Sequence, residues 1–204
     1  MKKLRLFIAV ELPETWQKRI SLSIRTLAGR YPGVRWIPAE NIHLTLKFLG
    51  DTDPGQVTAV QSFLDAAAGR YLPITARSGG FGVFPNLKKP RVIWLGLPAG
   101  KNELTALVEA LDRGLTNLGF EPEKREFTPH LTLGRVKNEV KTPNLAESLA
   151  EENKKAREPL DSLGPLNINM IALMQSTLTP RGAIYRVLSR HAGKGYDFAT
   201  GFSA

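Results

Sequence analysis

The sequence predicts a mixed α and β protein built as two related lobes, and two observations carry that prediction. The first is a tetrapeptide, His-Leu-Thr-Leu, that occurs at residues 43–46 and again at 130–133 and accounts for two of the three histidines in 204 residues. The second is the order of elements around each copy: an apolar strand ending in Leu-Pro, an amphipathic helix, then the tetrapeptide. The Leu12-Pro13 and Leu97-Pro98 ends are 85 residues apart and the two histidines 87. Like order at like spacing is the mark of an internal repeat.

The elements follow in turn. Residues 4–10 form an apolar strand, and residues 13–28 a helix with Trp16, Ile20, Ile24 and Leu27 on one face and Gly29 as its stop. A short strand at 34–37 precedes the first tetrapeptide. Asp53-Pro54 then opens a second helix carrying Val57, Val60, Phe63 and Leu64. Residues 72–84 read as extended, and Gly79, Gly80 and Gly82 mark a bulge or a close backbone approach; they do not form a phosphate loop. Residues 91–97 restart the pattern as a strand. The helix after them presents Leu104, Leu107, Val108, Leu111, Leu115 and Leu118, ends at Gly119 and leads to the second tetrapeptide. Beyond it come a polar helix around 145–156, strands near 166–178 and 183–189, and a flexible tail over 193–204.

Composition narrows the function. A hydrophobic content of 42% supports a buried core and a soluble protein. The apolar stretch Leu6 to Val10 in MKKLRLFIAVELP is too short for a secretory signal, no small-residue cleavage site follows, and no run is long enough to span a membrane. The absence of cysteine removes disulfides, thiolate nucleophiles and zinc-thiolate sites and fits a reducing compartment, the cytoplasm by default. Lys and Arg number 28 against 19 acids, and the net charge of +9 favours anionic partners, nucleic acid above all. Lys88, Lys89 and Arg91 suit a phosphate guide, or equally a solvated loop after Pro85.

Each tetrapeptide lies in a run that suits a β-strand, so residues two apart share a face: His43 with Thr45, and His130 with Thr132. If a pseudo-twofold axis relates the lobes, these strands lie side by side and bring both imidazoles to one cleft. In-line attack on phosphorus needs one proton removed from the nucleophile and another delivered to the leaving oxygen, from opposite sides; two histidines meet that need. Thr45 and Thr132 would donate to the non-bridging oxygens as charge builds there, with no metal, cofactor or covalent intermediate required. Two ordinary buried strands, with threonines taken for β propensity, would explain one copy; two copies in a histidine-poor chain argue against it. Two histidines without a third ligand do not make a zinc site. His191 lacks any such context and is expected at the surface, and no Ser-His-acid pattern competes.

The segments RLFIAVELP, VRWIPAENIHLTLKFLG, FPNLKKPRVIWLGL, FTPHLTLGRV and QSTLTPRGAIYRVL resemble the 2H phosphoesterase superfamily, most closely its RNA 2',3'-cyclic phosphodiesterase branch, also called 2'-5' RNA ligases. The resemblance implies an α+β, bilobal 2H phosphoesterase fold: two pseudo-twofold-related lobes with antiparallel sheets lining a central cleft and helices outside. It implies a single catalytic domain over 1–204 with interleaved lobes, acting as a monomer on RNA with 2',3'-cyclic phosphate ends. The implied reaction is metal-independent hydrolysis of those ends to 2'-phosphomonoesters, with His43 as proton donor, His130 as proton acceptor and reverse 2'-5' ligation open to the same site. Two other readings stand beside it. One is a related enzyme acting on a small cyclic nucleotide or a 2'-5' oligonucleotide; the other is an RNA-binding module without turnover, against which the intact His and Thr of both motifs speak.

Five positions beyond the motif histidines stand Phe48 and Arg135. In a flat strand parity points both away from the histidines, so contact with a ligand requires twist or a bulge near Gly134. Arg135 suits a phosphate or a base, and Phe48 a stacked base or the core. Lys47 shares the face of His43 and Thr45 in the same flat strand, which makes it a substrate contact in the cleft or at its rim.

Overall fold

The computed structural model describes residues 2–137, 147, 149–151, 163–180, 182–197 and 202–203. In chain order the elements are β1 (Leu4–Glu11), α1 (Glu14–Arg30), β2 (Val34–Trp36), β3 (His43–Thr52), α2 (Val57–Tyr71), β4 (Ile74–Ala76), β5 (Phe81–Phe84), β6 (Val92–Gly96), α3 (Lys101–Asn117), β7 (His130–Val136), β8 (Leu166–Ile168), β9 (Met170–Thr179), β10 (Gly182–Ala192), β11 (Tyr196–Asp197) and β12 (Phe202–Ser203). The large sheet runs β10-β9-β1-β3-β7-β6-β5, with β2 also paired to β7. Its pairs are antiparallel, so the fold is α+β as expected.

The repeat read from the sequence is visible in this order. β1 pairs with β3, β6 pairs with β7, and the two halves join where Leu44 of β3 faces Leu131 of β7. One face of the sheet carries Leu6, Ile8 and Val10 of β1 with Leu44, Leu131, Ile93, Leu95, Ile171 and Leu173, and these merge with the apolar faces of the three helices into one core. α3 packs against α2, β3 and β4, and α2 against β9 and β10. Arg19, Ile20, Leu22 and Ser23 of α1 instead line a small cavity with Phe81, Leu95 and Leu133 of the other half. The helix after β1 therefore covers the half that contains β7, and the helix after β6 covers β3.

Local signals account for some element ends. Asp53 caps the short turn that leads into α2: its Oδ1 accepts from Gly55 N at 2.8 Å, and the Gln56 side chain accepts from Asp53 N at 3.4 Å. The close approach expected near the glycines is real, since a Cβ on Gly82 would lie 2.2 Å from the Trp94 ring. One stop differs. α1 runs through Gly29 to Arg30, and Tyr31 ends it because Pro32 follows and disfavours the helical conformation in the residue before it. The polar helix expected at 145–156 falls mostly outside the described residues. Of the tail, Tyr196 and Asp197 pair with Ser203 and Phe202.

His191 corrects the sequence reading: it is 3% exposed, not a surface residue. A register shift between Val187 and Ser189 turns Ser189 and His191 of β10 toward α2. The Asp65 carboxylate can only accept, so His191 donates from Nδ1 at 2.6 Å, and its Nε2 meets the Ser189 hydroxyl at 2.8 Å. The connectivity is that of a nucleophilic triad, but Ser189 and His191 pair with the core residues Leu173 and Ile171 on the helix side of the sheet. The chain of bonds ties α2 to β10.

Candidate active site

β3 and β7 place the two motifs by the same device. Along β1 the partner steps from Lys47 at Ile8 to Thr45 at Ala9, which leaves Leu46 as the extra residue of a bulge. Along β6 it steps from Gly134 at Ile93 to Thr132 at Trp94, which leaves Leu133. Both bulges fall three residues after the histidine. A one-residue insertion reverses the facing of everything beyond it, so Phe48 and Arg135 return to the face that carries the histidines and threonines. Both side chains are exposed there, Phe48 at 60%. The bulge expected near Gly134 lies at its neighbour, Leu133.

The same reversal overturns the expectation for Lys47. It points to the helix side, 6% exposed, with Nζ donating to Asp112 Oδ1 of α3 at 2.5 Å and to the Glu121 carbonyl at 2.9 Å. Burial alone would raise the Asp112 pKa. The hydrogen bonds from Lys47 and from Glu123 N, with the charge of Lys47, outweigh burial and hold the carboxyl below its ordinary range. Lys47 is a core cation, not a substrate contact.

The antiparallel pair Leu44–Leu131 sets His43 across from Thr132 and Thr45 across from His130, a quartet with twofold symmetry. Each imidazole is tethered alike. His43 donates from Nδ1 to the Asn41 carbonyl at 2.9 Å, and His130 from Nδ1 to the Thr128 carbonyl at 2.6 Å, in both cases two residues upstream. A carbonyl only accepts, so Nδ1 carries the proton and Nε2 is left as the basic nitrogen. Burial lowers the pKa of His43, against the Asn41 bond, which favours the charged form. His130 is lowered by burial too, against its Thr128 bond, and the charge of Arg135 adds to the lowering.

Aromatic rings surround both imidazoles. Phe7 and Tyr185 lie 5.0 and 5.1 Å from His43, and Phe84 and Trp94 lie 5.0 and 6.2 Å from His130, between ring centroids. Phe7, Ala9, Ala172 and Met174 form a second apolar cluster with Tyr185 and Val187 on this face. Glu11, across β1 from His43, is gripped by Arg190 at 2.6 and 2.9 Å. The Glu11 bond raises the Arg190 pKa. None of these residues stands at a spacing that relates it to the histidines in sequence; only the strand order brings them together. The loop bearing Lys88 and Lys89 is ordered by Asn86, whose Oδ1 accepts from both their backbone N–H groups at 3.1 Å. It returns to the sheet at Arg91, whose carbonyl accepts from Val136 at 3.0 Å, beside Arg135. Among the described residues there is no cluster of three or more His, Cys, Asp or Glu suited to a metal ion, and no helix long and apolar enough to cross a membrane.

Known proteins resemble this chain in sequence and in fold. A family model described as the 2'-5' RNA ligase superfamily matches residues 13–175. An RNA 2',3'-cyclic phosphodiesterase of Methanothermobacter thermautotrophicus is 34% identical over 183 residues, 90% of this chain and 95% of that protein. One of Thermotoga maritima is 35% identical over 185 residues, 91% and 93% of the two chains. Among solved structures, TT0787 of Thermus thermophilus superposes with a TM-score of 0.73 at 26% identity, covering 93% of this chain and 99% of that one. Escherichia coli LigT in apo form gives 0.70 at 24% identity, covering 95% and 99%, a likeness of fold.

Proposed function

The chain belongs to the 2'-5' RNA ligase superfamily, and on that premise we propose that it opens the 2',3'-cyclic phosphate ends of RNA to 2'-phosphomonoesters, with His43 as proton donor and His130 as proton acceptor. The observation that carries this reading is the twofold quartet: two imidazoles with the same Nδ1 tether, set across from two threonine hydroxyls. Water on the His130 side gives a proton to Nε2 and attacks phosphorus in line with the 3' oxygen. The P–O3' bond breaks as His43, protonated on Nε2, supplies the proton to that oxygen. Thr45 and Thr132 donate to the non-bridging oxygens where charge accumulates. Arg135 contacts the phosphate or a base and Phe48 stacks on a base, both being exposed on the same face as the quartet.

The same geometry admits a 5'-hydroxyl of RNA in place of water, which produces a 2'-5' linkage by the same proton transfers. The assignment of donor and acceptor comes from the family, since the quartet itself is nearly symmetric. A cysteine-free chain suits a reducing compartment, the cytoplasm by default. The test is digestion of a defined cyclic-ended oligonucleotide in the presence of EDTA, beside small cyclic nucleotides and 2'-5' oligonucleotides, with the product identified by phosphorus NMR. A 2'-phosphate from the RNA is expected. A 3'-phosphate reverses the substrate orientation between His43 and His130, and turnover of the small nucleotides alone replaces RNA as the substrate.

A further inference from the structure

Each motif imidazole meets one aromatic ring nearly at right angles. His43 and Tyr185 lie 5.1 Å apart at 85°, and His130 and Phe84 lie 5.0 Å apart at 84°. The two rings do not come from equivalent strands. β1 corresponds to β6, and the strands outside them, β9 and β5, correspond in turn: Met174 lies across from Phe7 as Phe84 lies across from Val92. The counterpart of Phe84 is thus Met174, and the ring beside His43 arrives from β10, one strand farther out. Two unrelated backbone positions deliver a ring at the same distance and angle. Descent from a repeat does not explain that coincidence, whereas a shared demand of the two imidazoles does.

We infer that Tyr185 and Phe84 are positioning residues of the reaction, each bracing its motif imidazole so that Nε2 stays aimed at the phosphorus. The inference rests on the paired-histidine reading above. The Nδ1–H bond to the upstream carbonyl fixes one point of each ring and leaves it free to rock; a perpendicular ring on the flank removes that freedom. The brace is the ring and not the phenol, because Phe84 has no hydroxyl. It also keeps water from the imidazole. Around His43 the other groups are Phe7 and Glu11 of β1, the latter held by Arg190 of β10, and the Asn41 carbonyl. Around His130 they are Trp94 of β6, Arg135 of its own strand and the Thr128 carbonyl.

The variants Y185L, Y185F and F84L separate the brace from simple packing. Kinetics on a cyclic-ended oligonucleotide are paired with NMR titration of both imidazoles, assigned with H43Q and H130Q. A misaimed nitrogen reduces kcat by roughly 10- to 100-fold. Y185L is expected to show that loss with KM changed less than about twofold and with the His43 titration moved up toward an ordinary imidazole, because water reaches it. Y185F restores both readouts. F84L does the same to His130 alone, and F84M, carrying the residue type that β9 has at the equivalent place, repeats the test if F84L folds poorly. Unchanged kcat and titration in the Leu variants, a loss confined to KM, or a Y185F as poor as Y185L would each overturn the inference. Retained activity in H43A or H130A would instead sink the paired-histidine reading itself.

Discussion

Leu44 of β3 lies directly across from Leu131 of β7, and each is the residue that follows a motif histidine. Both leucines are fully buried on the helix side of the sheet. Their neighbours on either side must therefore face the cleft. A pseudo-twofold axis passing between two core leucines gives the site a rigid base, since moving either histidine means slipping a strand and expelling a leucine from the core.

That symmetry sets the first prediction. H43A and H130A each lower turnover of a cyclic-ended RNA by roughly 10²- to 10⁴-fold while the protein still folds, because in the proposed mechanism each histidine handles a different proton. The double variant falls little further. T45V and T132V lose less, about 1–3 kcal/mol of transition-state stabilisation each. Steady-state kinetics beside thermal melts check all five proteins, and near-normal turnover in either single histidine variant contradicts the mechanism.

The second prediction concerns pH. Burial holds both imidazoles below the ordinary histidine value of 6.5 in the free protein. The acceptor must be neutral and the donor charged, so kcat/KM follows a bell whose maximum lies on the acid side of that value, and it falls as pH rises because the donor loses its proton. The two apparent constants belong to the coupled pair. Stability moves the other way. The unfolded imidazoles bind protons at higher pH than the folded ones, so the fold weakens as pH drops through about 6.5, and H43Q and H130Q each soften that loss. A kcat/KM maximum above pH 7 would contradict the burial of the pair.

Lys47 and Asp112 provide an asymmetric test of stability. The Lys47 side chain is 4% exposed and that of Asp112 24%. D112A strands a buried ammonium and costs about 3 kcal/mol, whereas K47M leaves a carboxylate that water reaches and costs about 1 kcal/mol or less. Denaturant melts measure both. Equal losses would show that the two charges are equally dry. Because Asp112 is held below its ordinary value when folded, its contribution is present above the unfolded pKa and is lost as pH falls through the folded one.

His191 is expected to matter for the fold and not for catalysis. H191A removes a buried ring and two hydrogen bonds and lowers stability by about 2–3 kcal/mol. D65N costs about 1 kcal/mol, since that carboxylate is 69% exposed. S189A retains RNA hydrolysis. Loss of turnover in S189A without loss of stability would give the Ser189–His191–Asp65 chain a chemical role instead.

The loop of Lys88, Lys89 and Arg91 is tested by salt. It meets the sheet beside Arg135, which favours an RNA strand leaving the cleft on the His130 side. Replacing Lys88 and Lys89 by Gln should weaken a long cyclic-ended RNA and reduce the slope of log affinity against log salt by roughly 0.7 per lost contact, while a mononucleotide is unaffected. Identical slopes for long and minimal ligands would make the loop a solvated turn.

The sequence by itself determined the repeat and which of its residues share a face. Two His-Leu-Thr-Leu copies in a histidine-poor chain, each on a strand of period two, were enough to pair His43 with Thr45 and His130 with Thr132. The Leu-Pro strand ends, the Asp53 cap and the helix faces of α1 and α3 were legible for the same reason, since each depends on residues within one or two turns of the chain. Only the tertiary structure decided what depends on a partner strand. The bulges at Leu46 and Leu133 exist against β1 and β6, and they decide that Phe48 and Arg135 face the cleft while Lys47 goes to α3. His191 is buried, and its hydrogen-bond partner Asp65 lies 126 residues away. Tyr185 and Phe84 reach the imidazoles only because β10 and β5 fall where the sheet order puts them. Period-two alternation along one strand specifies facing up to the first inserted residue, and the position of that insertion is a property of two strands together.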